Sequence, residues 1–327
     1  MKDVGLVGVP YSGKSTLFTA LTRTGAVGGR ANQAVVAVPD PRLGVLAGLE
    51  RSARIVPAQV RFVDAPGGTS AQALAALRET DALCLVLRAF GPDPNPAAEL
   101  AEIRADLLLA DLTLIEGALE NARTRLKGRG PNALQEVETL ERAHAALVEE
   151  SPLSQAGLDE ADAKYLRGLA PLTLKPWIPV ANLDEGTNEP GDLPEGTLGV
   201  FAEIEAETAA MPPEEARELL SEFGVKEPGL ERVIAACYGA LDLITFLTTG
   251  EDESRAWEVR RGARAPEAAG VIHSDMERGF IRAEVMSYED LVAAGGWDAA
   301  KHHGHLRVEG KEYVVREGDV LHVRFAV

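Results

Sequence analysis

The spacing of apolar residues changes three times along this 327-residue chain. Residues 4–9 are an apolar and glycine run of strand length, and 16–22 read as a helix after a glycine-rich turn. The β-branched runs at 35–38 and 60–63 and the apolar run at 177–181 read as further strands, and the wholly apolar run at 82–87 as a strand of the kind found in parallel sheets. Their alternation with helices predicts a doubly wound α/β domain, with ligands at the carboxyl ends of its strands.

From residue 97 the period becomes helical. Leu100, Ile103, Leu107, Ala110, Leu114, Ala118, Ala122 and Leu126 mark one face of a long helix. The stretch Lys127-Gly128-Arg129-Gly130-Pro131-Asn132 breaks it, and Leu134, Val137, Leu140, Leu147 and Val148 mark a second helix. The α/β pattern then resumes, so this hairpin is an insertion. After residue 243 a period of two takes over, with Leu321, Val323, Phe325 and Val327 alternating with polar residues behind the turn Arg316-Glu317-Gly318-Asp319. The expected domains are therefore residues 1–96 with 171–242, the helical insertion 97–170, and a β-rich module 243–327.

Composition narrows the class. Apolar residues make up 46% and charged residues 26%, which is globular, and no long uncharged run suggests a membrane span. The first apolar stretch leaves no room for a cleaved leader, so the cytoplasm is the expected location. Cys84 and Cys237, both in apolar surroundings, read as buried thiols. A formal net charge of −18 opposes non-specific attachment to nucleic acid, so any RNA contact has to be concentrated on one face or the partner is a protein; sequence-specific DNA binding is not expected. A monomer is expected.

Gly8-Val9-Pro10-Tyr11-Ser12-Gly13-Lys14-Ser15 matches G-x-x-x-x-G-K-[ST] between a strand and a helix, the context a phosphate-binding loop requires. Backbone N–H groups at the helix start attract the α- and β-phosphates. Lys14 is expected to reach the β- and γ-phosphates as transition-state stabiliser, and Ser15 to ligate Mg²⁺. Asp64-Ala65-Pro66-Gly67 reads as D-x-x-G, with Asp64 holding Mg²⁺ through water and the Gly67 amide sensing the γ-phosphate, the bland alternative being a turn aspartate. Gly68 follows, where Ras-like enzymes carry a water-orienting glutamine, so slow hydrolysis is expected. Asn182-Leu183-Asp184-Glu185 stands where N-K-x-D would read guanine, with Glu185 displacing the acceptor by a methylene; the alternative is a polar loop closed by Gly186. His302, His303 and His305 read as exposed loop residues, not metal ligands.

Together these motifs resemble the YchF subfamily of Obg-like P-loop NTPases. The resemblance also runs through Val38-Pro39-Asp40-Pro41-Arg42-Leu43, Thr245-Phe246-Leu247-Thr248-Thr249-Gly250, Arg255-Ala256-Trp257, His273-Ser274-Asp275, Gly279-Phe280-Ile281-Arg282-Ala283-Glu284-Val285 and Glu309-Gly310-Lys311-Glu312-Tyr313. It implies a G domain, a C-terminal ubiquitin-like β-grasp TGS domain, binding of ATP/ADP in preference to or alongside GTP/GDP through Asn182 and Glu185, and association with ribosomes or translation factors. The expected nucleotide-binding set is Gly8, Pro10, Tyr11, Ser12, Gly13, Lys14, Ser15, Thr16, Gly67, Asn182, Leu183 and Glu185; the metal set is Ser15 and Asp64. Tyr11 replaces the asparagine usual in the family, the switch segment 25–32 is short and lacks threonine, Gly67-Gly68-Thr69-Ser70 shortens the second switch, and Phe201 replaces a base-contacting serine. These departures imply a phosphate cradle that is kept and γ-phosphate sensors that are eroded. The expected function is a slow NTPase switch in translation; the alternative is a nucleotide-stabilised scaffold without turnover.

Overall fold

The computed structural model describes residues 2–22, 32–126, 131–184, 192–208, 211–223, 225, 228–304 and 306–326. The expectations on residues 25–31 and 127–130, on Glu185, Gly186 and His305, and on Val327 fall outside them. The strands are β1 (Lys2–Val7), β2 (Asn32–Ala37), β3 (Arg54–Val56), β4 (Gln59–Asp64), β5 (Ala82–Ala89), β6 (Trp177–Leu183), β7 (Leu198–Val200), β8 (Leu243–Thr249), β9 (Glu253–Arg260), β10 (Phe280–Ser287), β11 (Arg307–Glu309) and β12 (Asp319–Phe325). They form two sheets within two compact units, one of Lys2–Val36 with Arg61–Cys237 and one of Ala37–Val60 with Tyr238–Val327.

The first unit is the expected doubly wound sheet, in the order β2-β4-β1-β5-β6-β7. β1, β5, β6 and β7 run parallel. Successive residues of β5 point to opposite faces, and each face is covered. Leu83, Leu85 and Leu87 pack with Leu77, Ile103, Leu107 and Leu172 on one side. On the other, the free thiol Cys84 meets Cys237 of the helix Gly229–Ala240; the hydrogen bond between the two thiols and their burial push the Cys84 thiol well up.

The insertion is the helix Pro96–Leu126 followed by Pro131–Val148. Asn95 opens the first, its side chain accepting from Ala98 N at 3.0 Å, which satisfies one orphan donor of the first turn. The buried stripe differs from the expected one. It runs Leu107, Asp111, Ile115, Leu119, and Ala110, Leu114 and Ala118 are half-buried at its flank. Asp111, wholly buried, turns inward because it bonds Arg78 Nη1 at 2.8 Å, Leu172 N at 2.9 Å, Thr173 N at 2.7 Å and Thr173 Oγ1 at 2.8 Å. An inward carboxylate rotates the helix one position past its aliphatic pattern. In the second helix Leu134 and Val148 are exposed, and Val137, Leu140, Ala143 and Leu147 form the seam.

The second unit has the order β11-β10-β12-β8-β9-β3. β8 and β9 form a hairpin, β12 lies parallel to β8 at the centre, and β10 pairs antiparallel with β12. The helix Ala265–Ile272 covers one face, against Phe246, Val259, Val285 and Leu321. This is a β-grasp arrangement with one addition. Residues 37–60, expected in the nucleotide-binding part, belong here, because β3 pairs parallel with β9, Arg54 opposite Glu253. The adjoining helix Pro41–Glu50 buries Leu43, Leu46 and Ala47. Its start is encoded locally: Asp40 accepts from Arg42 N, and Pro41 supplies a preset φ where no N–H is needed. Arg42 also bonds Asp40 at 2.8 Å and Glu317 at 2.7 Å, and Glu317 accepts from Thr245 N at 2.7 Å. The V-P-D-P-R-L stretch thus anchors this unit.

Candidate functional site

β1 ends at Val7 and the chain turns tightly, Ser12 N donating to Val9 O at 3.2 Å, before Leu17 N donates to Gly13 O at 2.9 Å and the helix Lys14–Thr22 begins. Gly13 takes φ 81°, and a Cβ there would collide with the Asn182 amide. Only glycine fits both the conformation and the space. Tyr11 takes φ 68° with its side chain 90% exposed. Among the described residues the Ser12 hydroxyl is the one buried side-chain polar atom without a partner.

Asp64 ends β4 beside this loop and is 2% exposed. Lys14 Nζ forms an ion pair with it and donates to Ala65 O at 3.2 Å, and Ser15 Oγ donates to Asp64 Oδ2 at 3.2 Å. Burial pushes the Lys14 ammonium down to about 8. A cation, a hydroxyl and a buried carboxylate therefore converge at a helix N-terminus. That donor set suits a phosphate chain with a hard divalent cation: oxygen ligands for the metal, an ammonium and free N–H groups for the anion.

Gly67 (φ 101°) and Gly68 (φ 60°) form the turn that follows. A Cβ on Gly68 would lie 3.2 Å from Gly8 O and 3.7 Å from Pro10 Cδ, so this turn lies directly on the loop. Thr69 Oγ1 bonds Asp106 of the insertion, and Ser70 caps the helix Ala71–Arg78 through Ala73 N at 3.3 Å.

Asn182, 6% exposed, donates from Nδ2 to Ser12 O at 3.3 Å and accepts at Oδ1 from Ala202 N at 3.2 Å. It ties the glycine-rich loop to the turn before the helix Ala202–Thr208. Leu183 is buried with Ala89 and Ala181, packed by Leu193 and Phe201, and Asp184 accepts from Gly91 N at 3.3 Å. The structure brings together Gly8 through Ser15, Asp64, Gly67 and Asn182, and places the Leu183 side chain in an apolar cluster. Glu205 escaped the sequence reading. Buried at 2% exposure, it accepts from Phe201 N at 3.3 Å, Gly229 N at 3.1 Å and Leu230 N at 2.9 Å, fixing the turn that Asn182 grips. Burial holds its carboxyl above the usual range, opposed by those three bonds. No sequence signal marks it, since it is one of three glutamates, Glu203, Glu205 and Glu207, in the same short helix.

The sequence matches a family model described as a 50S ribosome-binding GTPase over residues 3–115. It also matches the YchF-GTPase C-terminal model, described as a protein of unknown function, over residues 243–326. It is 38% identical over 361 residues to the ribosome-binding ATPase YchF of Bacillus subtilis, and 39% identical over 358 residues to that of Haemophilus influenzae, covering 99% of each chain in both cases. Among solved structures, the YchF GTPase of Schizosaccharomyces pombe superposes with a TM-score of 0.88 at 29% identity, covering 99% of this chain and 97% of that one.

Proposed function

The chain belongs to the YchF family, and from that premise we propose that it is a cytoplasmic, monomeric ribosome-associated protein that binds ATP, and GTP less well, with slow Mg²⁺-dependent hydrolysis. The observation that carries this reading is the convergence of Lys14, Ser15 and Asp64 at the N-terminus of one helix. Ser15 and Asp64 would hold the metal, and Gly67 would meet the terminal phosphate. When bound, the metal would neutralise negative charge on the phosphate chain.

The chain's own residues do the rest. Lys14 exchanges Asp64 for phosphate oxygens, the N–H groups of residues 13–16 face the anion, and Asn182 fixes Ser12 so that the loop is formed before nucleotide arrives. Pre-formed donors lose no ordering energy on binding. Hydrolysis is slow because Gly68 has no side chain to orient water. We take residues 97–170 as the insertion through which nucleotide state is relayed, Thr69 being bonded to Asp106.

Calorimetric titration with ATP, ADP, GTP and GDP in Mg²⁺ tests the reading, together with single-turnover hydrolysis with and without ribosomes. ATP binding tighter than GTP and slow turnover are expected. Turnover absent in both conditions, with nucleotide leaving ribosome affinity unchanged, would establish the scaffold reading instead, which the packing of Gly68 on Gly8 O favours.

A further inference from the structure

We propose that the groove between the helices Pro96–Leu126 and Pro131–Val148 is a docking site for an amphipathic α-helix of a ribosomal protein. The inference rests on the proposed ribosome association and names the protein chemistry of one contact within it.

The helix Pro96–Leu126 carries two apolar stripes. Leu107 is buried against the sheet, and Ile115 and Leu119 are buried in the hairpin seam. Ala101, Ala105, Leu109 and Leu112 recur at four- and three-residue steps on another side, and with Val148 they line a groove of about 520 Å³. Leu109 is 64% exposed and Val148 58%. Exposed aliphatics gathered on one concave face mark an interaction site, where scattered single ones do not.

The shape of the groove selects its occupant. Both walls are helices whose backbone groups are bonded internally, so an added strand finds no edge to pair with, whereas a third helix packs through side chains alone. Ala101 to Leu112 covers about 16 Å of helix axis, about three turns of such an occupant. The alanine end admits its larger side chains and the leucine end its smaller ones. A second copy of this chain presents the same concave face, and a groove does not fill a groove. RNA fits poorly: the lining has no aromatic ring to stack a base and a single cation, and residues 97–170 hold fourteen acidic against eight basic residues.

Charge completes the choice. Arg104 stands on one wall and Glu150 at the end of the other, and among the described residues neither has an ion-pair partner. The occupant therefore carries an acid on the flank facing Arg104 and a base on the flank facing Glu150. A protein seated on ribosomal RNA is rich in Lys and Arg because it neutralises phosphates, and that excess complements the acidic insertion.

The test uses the full chain, purified ribosomes, and the variants Leu109→Asp and Val148→Asp in the groove. Leu134→Asp, at a leucine 52% exposed outside it, is the control, and thermal melting confirms folding of all three. Affinity in co-sedimentation is expected to fall about 10-fold or more in each groove variant, and to stay within twofold in Leu134→Asp. Photo-crosslinking from p-benzoylphenylalanine placed at position 109 identifies the occupant, and a crosslink to a helical segment of a ribosomal protein is expected. A crosslink to ribosomal RNA or to a second copy of this chain overturns the proposal. Undiminished ribosome binding by both groove variants sinks this inference and leaves the ribosome association standing; absence of ribosome binding by the unchanged chain removes the association and this inference with it.

Discussion

Tyr11 stands in the left-handed region at φ 68° in a loop where its ring makes no use of burial. A bulky residue there costs about 1–2 kcal/mol, and asparagine tolerates the conformation far better. Tyr11→Asn is therefore expected to raise the melting midpoint by about 2–4 °C, read by calorimetry on the nucleotide-free protein. An unchanged or lower midpoint would show that the phenol makes a compensating contact. The neighbouring residues separate what the sequence discloses from what it hides. Gly8, Gly13, Lys14 and Ser15 are legible because the turn and its chemistry lie within eight consecutive positions. Asn182 was legible as a residue but not in its action, because its partners Ser12 and Ala202 come from distant parts of the chain.

At the scale of elements, the helix Pro96–Leu126 is clamped where its aliphatic stripe is interrupted. Removing Asp111 leaves the Leu172 and Thr173 N–H groups without their acceptor, and the Arg78 guanidinium with carbonyl partners but no counter-charge. Breaking a buried pair from one side costs about 3–5 kcal/mol, so Asp111→Ala should show that loss in urea denaturation, and a loss below about 1 kcal/mol would mean that water replaces the carboxylate. Periodicity read Leu114 inward because it weighs apolar residues and ignores a charge whose partners lie elsewhere in sequence. The hairpin has a second carboxylate of this kind. Asp162 accepts from Arg142 Nη2 at both carboxylate oxygens and from Thr139 Oγ1 at 2.6 Å, and the bond from Arg142 holds it below its ordinary value of 3.8. A lowered carboxyl contributes stability in full above its ordinary value and loses it as pH falls through the folded one. Asp162→Asn should therefore melt earlier than the unchanged chain at pH 7, and the gap should close as pH drops below 3.8; a gap constant with pH would assign the effect to packing.

For the whole molecule, the boundary near residue 243 marks where the β-grasp strands begin but not where their unit is complete. Residues 37–60 supply β3 and bury Leu43, Leu46 and Ala58 in it. Burial of a leucine is worth about 1.5–3 kcal/mol, so a fragment of residues 238–327 is expected to lack a cooperative thermal transition and to regain one when a peptide of residues 37–60 is added. A sharp transition in the fragment alone would show the segment to be dispensable. The doubly wound sheet was legible because its central strand β5 opens on six consecutive apolar residues, and the β-grasp unit because β12 alternates. The membership of residues 37–60 was not, since helix and strand patterns there fit either unit and the deciding partner is distant.

The pairing of Arg54 with Glu253 has a consequence in time. The two residues are separated by most of the chain, so at about 5–20 residues per second of synthesis the segment 37–60 waits on the order of 10–40 s for its partner strand to be made. During that interval Leu43 and Leu46 have no core to enter, and the closing of so long a loop makes this unit the slow step of folding. Mutations that weaken β9 should consequently be felt first as poor yield from nascent chains, before any change in what the finished nucleotide loop binds.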